Sequence, residues 1–279
     1  MVGPIPGKDP APTMVPSVPP LDAFPAVPSR VQDTAAAMLR SRILGGEYPV
    51  GSRLPPERRL AEELGLSRLS LRSALTTLEA EGLVRARQGS GVEVLDFRQT
   101  AGLDLFTFLL SQEHVSADQT AEYFKDVLRL RRCLAIDTML QAAKRVTADD
   151  LAELESLVAE QKQRLEDPMA YLEGDLRYQR VIVRIAGSTA MELMFNSLER
   201  VIWAHADLVL AFIGPLRRHW STYGMVHGLL RTRKPWRWRR MAEAALDLVE
   251  AQGLRRVRQR CRERAAPSLK NQHYPENRP

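Results

Sequence analysis

Residues 51–94 read GSRLPPERRLAEELGLSRLSLRSALTTLEAEGLVRARQGSGVEV. Pro55-Pro56 stands just before Glu57, where a rigid φ and then an acidic side chain suit the positive end of a new helix. Leu60 and Leu64 recur at helical spacing, Gly65 stops the run, and Ser67 offers a hydroxyl to cap the next helix. That next helix, roughly Ser67 to Glu81, turns Leu71, Ala74, Leu75 and Leu78 inward. It leaves Arg68, Ser70 and Arg72 on the opposite face of its first turns. Leu83-Val84, the basic Arg85-Ala86-Arg87-Gln88-Gly89-Ser90-Gly91 stretch, and then Val92 and Val94 predict a β-hairpin with a glycine tip.

Outward from this stretch, Val31, Ala35, Met38, Leu39 and Ile43 predict an amphipathic helix from about Arg30 to Leu44, stopped by Gly45-Gly46. Three helices and a basic hairpin in this order form a helix-turn-helix with a wing. An α-helix fits the major groove of duplex DNA, and its N-terminal side chains reach base edges there. Arginine suits that place because its planar fork grips guanine or phosphate with two hydrogen bonds. Helix-turn-helix shapes also serve as protein-interaction modules, and arginines on a helix face are often merely solvated. The ordered combination over some sixty residues favours double-stranded DNA.

The segment resembles the winged helix-turn-helix of the GntR superfamily of bacterial transcription regulators. The resemblance is carried by Gly46, Pro49-Val50-Gly51, Leu54-Pro55, Glu57-Arg58, Leu64-Gly65, Ser67-Arg68, Leu71-Arg72, Glu81-Gly82-Leu83 and Gly89-Ser90-Gly91. It implies that Arg58, Ser67, Arg68, Ser70 and Arg72 contact phosphates and bases, with Gln88 and Gly89 on the wing. Three positions depart from the family pattern. Pro56 stands where a capping Ser is usual, Leu69 where a small residue is common, and Ser73 where Glu is common. Leu69 lies on the reading face, where it would meet a thymine methyl.

From Phe106 to about Gln259 the apolar pattern is helical almost throughout, in six or seven segments. Breaks are expected at Arg145-Val146-Thr147, Asp167-Pro168, Gly187-Ser188, Gly214-Pro215 and Lys234-Pro235. The expected fold class is mainly α: an N-terminal winged helix-turn-helix with a small β-hairpin, then a C-terminal antiparallel helical bundle. The second part is similar to the effector-binding, dimerising domain of the FadR-type subfamily, on Arg131, Ala142-Ala143, Arg145-Val146-Thr147, Asp175 with Tyr178, and Ala186-Gly187-Ser188.

Many members of that subfamily hold a metal through an Asp, a His four residues on and two further His. The matching positions here are Asp175, Gln179, Tyr223 and Ala245, of which only the Asp is a usual ligand, so no metal and no cofactor are expected. The five His, at 114, 205, 219, 227 and 273, read as surface or satisfied core residues. By the resemblance, Arg131, Asp175, Gln179 and Tyr223 line an effector cavity. Arg131 then grips a carboxylate or phosphate, or it pairs with Asp175 as a structural ion pair. The implied effector is an acyl-CoA or other lipid-derived metabolite, with a small carboxylate as the alternative.

Composition sets the remaining bounds. The 279 residues are 44% hydrophobic, enough for two domains. Residues 1–28 hold nine of the eighteen prolines and read as a disordered arm. The expected DNA-binding domain covers 29–97, the effector and dimerisation domain 98–259, and a basic, disordered tail 260–279. No apolar stretch is long enough for a membrane span. Two cysteines, Cys133 and Cys261, give no disulfide framework. Residues 30–98 carry eleven basic against nine acidic side chains, 99–216 twelve against eighteen, and 217–264 fourteen against four. The most basic stretch is thus C-terminal, where its trailing arginines would add phosphate affinity. With no HExxH, GxSxG or phosphate loop, an enzyme is not expected. The expectation is a homodimeric, ligand-responsive repressor of the bacterial cytoplasm, nucleoid-associated, binding a palindromic operator without membrane contact. A β-rich sugar-type effector domain, or an architectural DNA-binding protein with no effector, are the alternatives set against it.

Overall fold

Capping chemistry fixes where the first helices begin and end. The computed structural model describes residues 31–87, 89–111, 115–232 and 250–264. Helix α1 covers Val31–Leu44, α2 Glu57–Leu64 and α3 Arg68–Ala80. Ser67 caps α3, its hydroxyl accepting from the Ser70 backbone N–H at 3.0 Å. Pro56 precedes α2 and supplies no side-chain cap, a loss of about 1 kcal/mol against a capping serine. Gly65 ends α2 in the left-handed region. Strands β1, Val84–Arg87, and β2, Gly91–Val94, pair antiparallel with Val84 opposite Val94 and Arg87 opposite Gly91. Leu54 N–H donates to Val92 O and Gly51 N–H to Val94 O, which ties the α1–α2 connection to the wing.

The core of this domain holds Leu39, Leu60, Leu71, Leu78 and Leu83, each no more than 1% exposed; burying a side chain of this size contributes roughly 2 kcal/mol. Met38 is the exception to the expected apolar face. It is 37% exposed, and Ala36 is buried in its stead. A connector follows the wing: α4 Phe97–Thr100, a 3₁₀ turn Leu103–Leu105 and α5 Phe106–Leu109. Leu105 and Leu109 pack into the first core although they lie beyond residue 97. Thr100 Oγ1 donates to Gly82 O at 2.6 Å. The buried Arg40 makes two bonds to Glu81, of 2.8 and 2.6 Å, and lies 3.6 Å over the Phe108 ring.

The rest is helical: α6 Ala117–Arg145, α7 Ala148–Gln163, α8 Pro168–Ala186, α9 Thr189–Ala204, α10 Ala206–Ile213, α11 Leu216–Trp220, α12 Tyr223–Thr232 and a last helix over 250–264. Thr147 and Asp150 close a reciprocal capping box on α7. Asp167 accepts from two backbone N–H groups to start α8, and Gly187 ends it with φ +65°. Helix α8 packs on α6, α7 and α9. Two apolar clusters fill the bundle, one around Phe124, Leu172 and Phe212, the other around Leu154, Ile182 and Leu230. The expected winged helix-turn-helix and helical second domain are thus what the chain forms.

The expected tail boundary at residue 260 falls inside a helix. Residues 260–264 are helical, and Val257 and Cys261 are buried. The arginines there serve the bundle. Arg256 caps the end of α10 through Ala211 O and Phe212 O, both at 2.7 Å. Arg258 pairs with Glu122, Arg262 with Asp118, and Arg260 and Arg264 with Asp207. The expected arm of residues 1–28, the Lys234-Pro235 break, Ala245, His114 and His273 all lie outside the described residues.

Candidate DNA-reading face and ligand cavity

On α3, Arg68 and Arg72 are one turn apart and exposed, with Ser67 and Ser70 beside them. The two serine hydroxyls lie 2.8 Å from each other. Arg72 Nε donates to Glu57 Oε2 at 2.8 Å, which brings the start of α2 against α3. That hydrogen bond and the charge of Glu57 hold the Arg72 guanidinium above its ordinary value. The pair is well exposed, 71% and 41%, so exchanging Glu57 for a phosphate costs little. Arg58 and Arg68 are exposed and make no ion pair among the described residues. Leu69 is 74% exposed, an apolar side chain open on the same first turn. On the wing, Gly89 is exposed at φ +74°, and Arg87 leans on Glu93 at 3.1 Å. Gln88 lies outside the described residues.

The second site is a cavity of about 300 Å³ between the two apolar clusters of the bundle. Its walls include Phe124, Val127, Leu176, Phe195, Ile202 and Phe212. The four expected residues meet at its polar end. Asp175 Oδ1 accepts from the Tyr223 hydroxyl at 2.6 Å, and Oδ2 accepts from Gln179 Nε2 at 2.5 Å. Arg131 Nη2 in turn donates to Gln179 Oε1 at 3.1 Å. Gln179 therefore stands between Arg131 and Asp175, and no ion pair joins those two among the described residues. Burial first, and Asp175 second, push the Tyr223 phenol well above its ordinary range, so it stays a proton donor.

Three residues that the sequence reading did not assign to the cavity complete this end. His219 lines it, with Nδ1 2.8 Å from the Tyr171 hydroxyl. Gln161, 1% exposed, donates to Tyr171 O at 2.9 Å and to the Tyr223 hydroxyl at 3.4 Å. It lies directly over Gly174, where any Cβ would fall 1.9 Å from its Oε1. The usable signal was spacing: Tyr171, Asp175 and Gln179 recur every four residues on α8, and His219 precedes Tyr223 by four. Of the other described histidines, His205 is a core residue bonded to Thr107 O at 2.9 Å. Burial pushes it down to about 4. His227 departs from the expectation of a satisfied ring, since its Nε2 is buried without a hydrogen-bond partner among the described residues.

This donor set does not suit the metal that many FadR-type members hold. Both oxygens of Asp175 are already engaged, the neighbouring position is an amide, and the nearby imidazole nitrogen Nδ1 is occupied by Tyr171. Among the described residues no three His, Cys, Asp or Glu side chains converge, and no helix is long and apolar enough to cross a membrane.

The cavity and the DNA-reading domain are joined by the connector. Leu198, Val201 and Ile202 of α9 line the cavity. Arg200 on the same helix holds Asp104 through bonds of 2.8 and 3.0 Å. Beyond Asp104 come Phe108 and its stack on Arg40 of α1.

Residues 31–94 match the family described as bacterial regulatory proteins, gntR family, and residues 126–248 match the FCD domain. The HTH-type transcriptional regulator Mce2R of Mycobacterium tuberculosis is 37% identical over 177 residues, covering 62% of this chain and 70% of that protein. The uncharacterised HTH-type regulator YieP of Escherichia coli is 36% identical, covering 53% and 59%. The Exu regulon transcriptional regulator of E. coli is 29% identical, covering 61% and 62%. Among solved structures, that of Lar, which controls the expression of the Listeria monocytogenes agr system, superposes with a TM-score of 0.52 at 20% identity. It covers 81% of this chain and 97% of that one, and it bears on the fold alone.

Proposed function

The chain belongs to the gntR family of bacterial regulatory proteins and carries an FCD domain, and on that premise we propose that it is a homodimeric repressor released from its operator by a lipid-derived acid. DNA binding and transcription regulation come with the family; the dimer, the palindrome, repression and the ligand class are this proposal. The observation that carries it is the first turn of α3. Two arginines, two serines and an exposed leucine stand there beside a glycine-tipped wing, with Arg58 and Arg68 in no ion pair among the described residues.

Arg68 and Arg72 are assigned to base edges or phosphates, Ser67 and Ser70 to phosphates, and Arg58, Gln88 and Gly89 to flanking backbone contacts. One such helix reads too few base pairs for a genomic address, so two related by symmetry read a palindrome. The mostly apolar cavity, with Arg131, Asp175, Gln179 and Tyr223 at its polar end, supports a ligand with a chain and an acidic or ester head, an acyl-CoA among them. Binding there would bias α9 and, through Arg200–Asp104, the pose of the connector. It acts only by as much as the ligand prefers one pose over the other.

The role is regulatory rather than catalytic, and its place is the cytoplasm, on the nucleoid. The test is protection of DNA upstream of the protein's own gene. Two half-sites about 10 base pairs apart, centre to centre, are expected; a single unpaired half-site, or no protected site at all, would refute the symmetric reading.

A further inference from the structure

Resting on the assignment of α3 and the wing to duplex DNA, we propose that Glu79 is a positioning residue: it sets the pose of the wing against α3, and with it which bases the wing meets. Glu79 Oε1 accepts from the Ala86 backbone N–H of β1 at 3.0 Å. On α3, Glu79 follows Arg72 by seven residues, about two turns further along the face that carries Arg68 and Arg72. It is exposed there. A carboxylate on that ridge stands toward the phosphates of a duplex that α3 reads, and its charge by itself opposes binding. Its bond to the wing is what such a residue supplies in return.

The two edges of the wing are held differently. The outer edge of β2 is tied to the α1–α2 connection by Gly51 N–H to Val94 O, Leu54 N–H to Val92 O and Val94 N–H to Ser52 O, each at 2.9 Å. The sheet has two strands among the described residues, so β1 has no neighbouring strand on its far side. Ala86 stands opposite Val92. Because Val92 O turns outward to Leu54, the Ala86 N–H turns outward on the other edge, where Glu79 meets it. The bond falls between Arg85 and Arg87, both exposed. A narrow minor groove draws arginines of this kind, while Arg68 and Arg72 are assigned to the major groove. Both sets of contacts must form at once, and the carboxylate of Glu79 holds their separation from the α3 side. A hairpin fixed before binding also loses less freedom on the duplex than a loose one.

The test compares the parent, Glu79→Gln and Glu79→Ala, as full chains, on the duplex that the parent selects from a randomised pool and on a scrambled duplex. Gln keeps an acceptor oxygen and loses the charge; Ala loses both. Glu79→Ala is expected to lower the preference for the selected duplex roughly three- to tenfold, the range for one hydrogen bond, and to speed hydrogen exchange of the Ala86 amide. Glu79→Gln is expected to keep the parent's preference and the parent's exchange while binding both duplexes more tightly, since one negative charge has left the phosphate side. Rescue by Gln is what a role through charge alone would not give. The position is exposed, so both variants are expected to keep the parent's thermal midpoint to within a few degrees. Identical behaviour of the Gln and Ala variants would overturn the proposal, as would parent-like preference and exchange in Glu79→Ala. A parent that selects no sequence would overturn the reading of α3 as well; a parent that selects one, matched by Glu79→Ala, would overturn the role of Glu79 alone.

Discussion

Gly82→Ala tests how the DNA-reading domain is joined to the rest of the chain. Gly82 lies between α3 and β1 with φ +75°, where an L side chain costs about 1–2 kcal/mol. A Cβ built there falls 2.4 Å from Thr100 O and 2.7 Å from Thr100 C. Relief requires α4 to withdraw, which gives up the bond from Thr100 Oγ1 to Gly82 O, a further 0.5–1.5 kcal/mol or so. The expected loss is about 1.5–3.5 kcal/mol. Gly65→Ala is the internal control. Its φ is +65°, and nothing lies within 4 Å of its Cβ position, so only the conformational cost of about 1–2 kcal/mol applies. Urea titration of both variants, with hydrogen exchange of the β1–β2 amides, separates the terms. Gly82→Ala should lose the larger amount and raise exchange near Leu83 and Leu95. Equal losses with unchanged exchange would refute the docking of the connector on the wing root.

Two further outcomes follow from single residues. His205 has an ordinary value of 6.5 and a folded value of about 4, so the unfolded chain binds the extra proton in that window. Stability is therefore fully present above pH 6.5 and falls as the pH drops toward 4, by about 3 kcal/mol in all. Denaturation midpoints of the parent and His205→Gln measured from pH 7 to 4.5 should converge on acidification; parallel curves would contradict this. Leu69→Ala should change stability by no more than about 0.5 kcal/mol, as an exposed position does. It should also cut the preference for thymine over cytosine at one operator position severalfold, read by selection from randomised duplexes. An unaltered base preference would remove Leu69 from the reading face.

What was legible in the sequence was local. Ser67, Gly65, Thr147, Asp167 and Gly187 bound their helices through bonds to backbone a few residues away, and such chemistry is carried by the residues themselves. What was not legible came from distance. The α9–α10 break at His205 has no glycine or proline; its ring is anchored on Thr107, 98 residues earlier. Leu105 and Leu109 read as part of the second domain, yet they complete the first core across the connector. The trailing arginines read as a cationic tail because sequence gives their charge and not their partners, Glu122, Asp118 and Asp207. His219 read only as a surface or satisfied core histidine for the same reason: the partner that places it at the cavity is Tyr171, 48 residues away. Around Asp175, by contrast, the four residues expected together do meet, with the Gln179 amide between the carboxylate and Arg131.

The central claim is that the first turn of α3 reads duplex DNA. It is tested most directly by measuring the affinity of the parent and of Arg68→Ala/Arg72→Ala for the protected operator and for a scrambled duplex, across salt concentrations. The parent should prefer the operator by at least a thousandfold. The variant, folded and of unchanged oligomeric state, should lose most of that preference and show a shallower salt slope, by about one for each phosphate contact removed. A variant that discriminates as well as the parent would contradict the assignment of α3 as the reading helix.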